Sequence, residues 1–497
     1  MQIRYAIAWA MVAIQSTDAS NSTSKGDLNG WYPCSEYTFS DEGSSTGQVA
    51  QCAVYSAPLC YPGICETPPG VNSEVDVFVK RLPATAADPA TTTNVWLLQG
   101  GPGASSTDLE ISMATLHSEL EGTVNVYTMD HRGTGRSTKP DCVAAQVTTT
   151  GSPWDLQIKY GDLASFSVTT AATDLATFIS RFTNGAGTIV YGVSYGTMFA
   201  ERLMHLAPPQ VTGYVLDGIA TTSGAPEFFY ASKWDNNFGE VGDAFLALGE
   251  SDSNCKPHFD SNGLNNTLQG VLEQFDHDPN STCAALVNST VETGESPSAN
   301  LRIALESTEA MKPKSRQQHQ IENKSTTYET HYTQALENFF ANQWGKLKLV
   351  ALDPLKHLAK SQTAIQYNFS SDHASLTSPM RTTIPNQASV LLLSGKLDPQ
   401  TPNKYAEYLL NALRGEKKEL IAFEYATHGT VMTTPMVADN PWSETCGMKV
   451  LASYVRVGGD LERLDKSCVA EMPAFNLTTP DYYLYSYFGT DVADDGY

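Results

Sequence analysis

Ser194 lies in the run Gly192-Val193-Ser194-Tyr195-Gly196, which follows the apolar segment Thr188-Ile189-Val190-Tyr191. A helical apolar pattern comes next, through Met198, Phe199, Leu203, Met204 and Leu206. A serine between a strand and a helix, with glycine two residues away on either side, has the context of a nucleophile elbow. Side chains at the two glycine positions would clash in so tight a turn. The serine is then held exposed in a strained conformation, at a helix N-terminus whose dipole favours a developing anion.

A serine hydroxyl needs a base, and the base needs an orienting acid. The apolar run Ser389–Leu393 ends in Ser394-Gly-Lys-Leu-Asp398-Pro-Gln-Thr-Pro402, so Asp398 falls in a turn beyond a strand end. The segment Leu420–Tyr425 is followed by Ala426-Thr-His428-Gly429, so His428 falls in a loop beyond the last strand. The order serine, acid, histidine suits a nucleophile on such an elbow. Ser194 would attack a carbonyl, His428 would take its proton, and Asp398 would fix the tautomer and stabilise the imidazolium. Asp217, at the end of the run Gly213–Asp217, is a rival acid. Backbone N–H groups must meet the developing oxyanion. Tyr195 offers one, directly after the nucleophile. Gly101 offers the other, from Gln99-Gly-Gly-Pro-Gly103, because Pro102 has no N–H. No Gly-Lys-Ser/Thr follows these glycines, so they do not form a phosphate loop.

These residues need a frame. Asn94–Gln99 and Val124–Met129 read as short buried strands, Val75–Arg81 as an alternating one, and residues 163–183 as a helix. Strands alternating with helices imply an α/β fold, with a mostly parallel sheet flanked on both faces. Chemistry in such sheets sits beyond the carboxyl ends of the strands. Ser194, Gly100-Gly101 and Asp130 should therefore converge on one edge. The alternation stops over residues 222–384, a polar stretch with helix-like pieces at 237–249 and 328–343, which reads as an inserted, mainly helical cap. Residues 73–221 and 385–497 would then be the two parts of the core, and residues 20–72 an irregular Cys-rich arm tied by disulfides.

Residues 1–19 read as a secretory signal, with Arg4, the apolar run Tyr5–Ile14 and a cleavage region at Thr17-Asp18-Ala19. Sequons stand at Asn21, Asn265, Asn280, Asn288, Asn323, Asn368 and Asn476. In an exported chain the nine cysteines are disulfide formers. Cys60 with Cys65, Cys255 with Cys283, and Cys446 with Cys468 are plausible local pairs, and Cys142 is the candidate for the odd thiol. No Cys/His spacing suits zinc, so no metal is expected. The net charge of -23 argues against nucleic acid and anionic membranes as partners. No later run is long and apolar enough to span a bilayer.

Taken together, Gly100-Gly-Pro-Gly103, Asp130-His-Arg-Gly-Thr-Gly-Arg-Ser137, the Ser194 run, Asp398-Pro-Gln-Thr-Pro402 and His428-Gly429 resemble the α/β-hydrolase serine aminopeptidases. Those are the proline iminopeptidases and, more closely, the secreted tripeptidyl aminopeptidase-like proteins. The resemblance covers most of 73–220 and 385–470. It implies an α/β-hydrolase fold, no cofactor, and release of residues from the free N-termini of peptides through an acyl-enzyme on Ser194. It assigns Ser194, Asp398 and His428 as the triad and Gly101 and Tyr195 as oxyanion donors, with Asp130 and Arg132 as braces. Gln99 departs from the histidine that iminopeptidases usually carry there. The family's cap binds the substrate amine through acidic side chains, for which Glu227 is the candidate. An esterase of the same triad and a non-catalytic binding protein are the rival readings.

Overall fold

The computed structural model describes residues 27–39, 48–140, 158–221, 223, 238–253, 256, 263–285, 381–438, 440 and 443–475. The proposed signal, Cys142, Glu227, Cys255, the helix-like piece at 328–343 and the sequons at 21, 288, 323, 368 and 476 lie outside these residues.

One nine-stranded sheet organises the chain. Its strands are β1 (Tyr32–Cys34), β2 (Ala50–Pro58), β3 (Glu74–Leu82), β4 (Asn94–Leu98), β5 (Asn125–Asp130), β6 (Thr188–Val193), β7 (Val211–Asp217), β8 (Ser389–Gly395) and β9 (Lys418–Phe423). The order across the sheet is β1-β2-β3-β5-β4-β6-β7-β8-β9. The pairs β1–β2, β2–β3 and β3–β5 are antiparallel. Every pair from β5–β4 to β8–β9 is parallel.

The inner parallel strands are largely apolar because both of their faces are covered, whereas the edge strand β9 carries Lys418 and Glu419. Trp96, Val190 and Leu392 point to one side, into a core shared with α2 (Val168–Phe182), α3 (Tyr195–Leu206) and α6 (Asn403–Ala412). Val95, Leu97, Ile189 and Leu391 point to the other, against α1 (Glu110–Glu119) and α8 (Cys446–Arg456). Two further helices, α4 (Phe238–Ser251) and α5 (Leu264–His277), fall in the segment read as a helical cap. Asn265 and Asn280 are exposed there. The remaining short helix is α7 (Thr430–Thr433).

Strands β7 and β8 pair in parallel from Gly213 with Ser389 to Asp217 with Leu393, although residues 218–388 separate them. The sheet therefore continues across a long excursion of the chain, as an insertion between neighbouring strands requires.

The reading of 20–72 as irregular needs correction. It contains β1 and β2, and β2 pairs with β3 over eight residues. The inward residues of β2 are mostly small, Ala50, Cys52, Ala53 and Ala57, beside Tyr55. Its apolar alternation is therefore faint. Disulfides Cys34–Cys52, Cys60–Cys65 and Cys446–Cys468 are formed. The last two match the local pairs read from spacing; the first staples β1 to β2.

Candidate active site

Ser194 sits at the junction of β6 and α3 with φ 57° and ψ -124°. Left-handed backbone at a residue with a Cβ costs on the order of 1–3 kcal/mol and persists only where its surroundings impose it. The imposing contacts are at the flanking glycines. A Cβ on Gly192 would run into the carbonyl of Gly196, and one on Gly196 into the carbonyl of Leu98. The Ser194 N–H donates to the Asp217 carbonyl at 2.9 Å, which ties the turn to the end of β7. The serine is 9 % exposed, at the N-terminus of α3, where the helix dipole is positive.

The loop after β4 lies against it. A Cβ on Gly100 would stand 2.8 Å from Ser194 Cβ, so only glycine allows the backbone this close. Gln99 Oε1 accepts the Gly100 N–H at 2.9 Å, while its Nε2 donates to Asp108 at 3.1 Å. Gln99 thus fixes the strand end beside the serine. Gly101 follows at φ 113°, and Tyr195 opens α3. The two groups read as oxyanion donors therefore belong to segments that flank the nucleophile.

His428 lies in the loop between β9 and α7, and its Nδ1 meets Asp398 Oδ2 at 2.8 Å. Asp398 is fully buried and preorganised. Its Oδ1 accepts the N–H groups of Gln400 and Thr401, both at 2.9 Å, and its Oδ2 accepts the Thr401 hydroxyl at 2.7 Å. A carboxylate facing Nδ1 keeps the proton there, and leaves Nε2 as the basic nitrogen. Burial alone would lower the His428 pKa, but the charge and hydrogen bond of Asp398, with the charge of Asp217, raise it above its ordinary 6.5. Gly395 and Gly218 make room for this loop. A Cβ on Gly395 would strike the Ala426 carbonyl, and one on Gly218 would stand 2.9 Å from His428 Cε1. The described contacts connect Ser194 to the Asp398–His428 pair through Asp217 and Gly218 rather than by a direct hydrogen bond. Catalytic hydrogen bonds are often long in ligand-free enzymes and tighten when substrate binds.

A family model for the alpha/beta hydrolase fold matches residues 93–433, a span that includes the elbow, Asp398 and His428. The chain belongs to the alpha/beta hydrolase family. It is similar to a proline iminopeptidase from Mycobacterium smegmatis, with 14% identity over 79% of this chain and 97% of that one and a TM-score of 0.38. It is similar to an esterase from Exiguobacterium antarcticum, with 15% identity over 73% and 92% and a TM-score of 0.35. It is also similar to alpha/beta hydrolase domain-containing protein 10 from mouse, with 12% identity over 79% and 96% and a TM-score of 0.35. No curated protein matches it in sequence.

In this hydrolase the rival acid Asp217 does not contact His428 by hydrogen bond. Its carboxylate goes to the first residues of α7 and to Tyr191. Asp130 and Arg132 both act as braces. Asp130 Oδ1 accepts from Ser105 Oγ and Ser106 N, just beyond the glycine loop, and Oδ2 accepts from Arg136 N and Nε. Burial would raise its pKa, yet the charge and hydrogen bonds of Arg136, with the Ser106 N–H, hold it below the usual carboxylate range. Arg132 is fully engaged by Asp174 and by the carbonyls of Pro58, Leu59 and Ser165. His131 packs on the rings of Tyr195 and Phe199, and burial pushes its pKa down to about 4, so it is neutral.

Thr401, Tyr191 and Thr430 escaped the sequence reading. Thr401 carried a usable signal, since a hydroxyl three residues after an aspartate suits a turn closed on that carboxylate. Tyr191 and Thr430 carried none, because their common partner is distant in sequence. Among the described residues no group of three His, Cys, Asp or Glu side chains is placed to hold a metal.

Proposed function

We propose that this chain is a secreted serine hydrolase that removes residues from the free N-termini of peptides. The observation that carries the serine chemistry is the bonded Asp398–His428 pair beside a left-handed Ser194 at a helix N-terminus. Ser194 Oγ attacks the scissile carbonyl as His428 Nε2 takes its proton. The N–H groups of Gly101 and Tyr195 receive the oxyanion. The C–N bond then breaks as His428 returns the proton to the departing amine, leaving an acyl group on Ser194. Water, deprotonated by His428, releases the acyl fragment and restores the serine.

Peptide specificity rests on the motif set shared with the serine aminopeptidases, with Glu227 as the proposed partner of the substrate amine. The three disulfides support export, since such bonds persist in oxidising compartments.

The test is mass spectrometry of products from a peptide panel with free and acetylated N-termini. Cleavage of free-amine peptides alone is expected, and the mass step distinguishes release of one residue from release of three. Equal cleavage of blocked peptides would remove amine recognition. Turnover of simple esters without any peptide cleavage would replace the peptidase with a carboxylesterase.

A further inference from the structure

Asp217 is the last residue of β7 and is fully buried. It touches both halves of the proposed machinery. On the serine side, its carbonyl accepts the Ser194 N–H at 2.9 Å, and its Oδ2 accepts the hydroxyl of Tyr191, three residues before the serine, at 2.9 Å. On the histidine side, its Oδ1 accepts both the N–H and the hydroxyl of Thr430 at 2.8 Å, and its Oδ2 accepts the Val431 N–H at 2.9 Å.

The histidine side has a local cause. Residue 429, which precedes α7, is a glycine with φ 75° and has no side chain to cap the helix. The first N–H groups of a helix need an outside acceptor. Asp217 supplies it from the sheet, in place of the usual serine or aspartate at the cap. Thr430 and Val431 begin two residues after His428, so the hold on α7 is also a hold on the imidazole. Burial pushes the Asp217 pKa up, and the four donors that converge on its two oxygens act against that by favouring the ionised form.

We infer that Asp217 is a positioning residue, which sets Ser194 and His428 against each other by binding both of their segments and places a second carboxylate near the imidazole. The inference rests on the serine mechanism proposed above. Asp398 and Asp217 are the charged groups that act on His428 among the described residues. Asp398 acts by direct hydrogen bond, and Asp217 through space and through the loop.

The experiment uses the full chain and a fluorophosphonate probe, so it needs no knowledge of the natural substrate. Ser194 Oγ displaces fluoride from phosphorus while His428 takes the hydroxyl proton. The labelling rate against pH therefore reports the state of His428. Asp217→Asn keeps the carbonyl and the size but removes the charge and turns an N–H₂ toward one of the donors. Labelling is expected to slow about 10- to 100-fold, in line with the cost of a misplacement of ~1 Å, and its acid midpoint is expected to move to lower pH. A folded Asp217→Asn protein that labels at the wild-type rate with the same midpoint would overturn the inference while the serine mechanism stands. Slower labelling with an unmoved midpoint would overturn its electrostatic part. If the wild-type protein itself takes no label at Ser194, the serine mechanism fails and Asp217 loses its role with it. Should Asp217→Asn fail to fold, Thr430→Val removes one donor and leaves the charge. It is expected to slow labelling several-fold with the midpoint unchanged, and a wild-type rate would overturn the anchoring role.

Discussion

Five buried carboxylates of this molecule form two contrasting sets. On the side of β2, β3 and α1, three acids each face a cation. Asp174 pairs with Arg132, Asp130 with Arg136, and Glu110 with Lys80. On the side of β7 and β8, Asp217 and Asp398 face backbone N–H groups, hydroxyls and one imidazole, and among the described residues neither pairs with Lys or Arg. The first set is neutralised where it stands, so it fixes geometry and sends little field elsewhere. In the second set no lysine or arginine neutralises the carboxylates among the described residues, and the group that faces them is His428. Bracing and chemistry thus use the same residue type with opposite charge balance.

The sharpest way to separate the two sets is to remove their members singly. Ser194→Ala should lower turnover by roughly 10⁶-fold, as loss of a triad nucleophile does, with circular dichroism unchanged. Asp398→Asn should lower kcat about 10⁴-fold, because an amide no longer holds the proton on Nδ1. Steady-state kinetics on whichever peptide or ester proves to be a substrate would measure both, and a drop of less than tenfold for Asp398→Asn would remove Asp398 as the working acid. On the bracing side, Arg132→Met leaves Asp174 buried without its cation. It should cost about 3–5 kcal/mol of stability in urea unfolding, while activity per folded molecule is retained. Replacing Asp174 by Leu as well should recover much of that loss, since an apolar pair can replace a buried ion pair.

The pH responses of the two sets should also fall in different windows. His428 must be neutral to act as a base, and its pKa is raised. The acid limb of kcat/KM is therefore expected above about 6.5. Asp130 is depressed. Its contribution to stability is present above its unfolded value and is lost as pH falls through the folded one, below about 3.8. Arg136→Ala should remove that contribution, and acid unfolding followed by fluorescence should then begin at higher pH than in the wild type. The smallest effect is expected for Thr401→Val. It deletes one hydrogen bond to Asp398, worth about 1 kcal/mol, and should lower kcat less than tenfold.

Ser194, Asp398 and His428 were legible because each follows an apolar run within a few residues, and a strand end is a local feature of sequence. The sheet itself was legible for the same reason, wherever its strands are uniformly apolar. β2 was not, since alanines and a disulfide cysteine fill its inward positions. The work of Asp217 was hidden for another reason. Its partners at 191, 194, 430 and 431 meet only after β6, β7 and α7 have packed, and no spacing along the chain records that meeting. Arg132 stands between these cases: its motif marked it as a brace, while its partners at 58, 59, 165 and 174 had to be seen.

The excursion between β7 and β8 has a consequence for the protein's own synthesis. Ser194 and the strands that form its elbow leave the ribosome first, and residues 218–388 must follow before β8 can join the sheet. Asp398 and His428 come later still. Between the synthesis of Ser194 and that of His428 the proposed nucleophile exists without its proposed base, and on that mechanism the emerging chain cannot attack the proteins beside it until its last strands have been added.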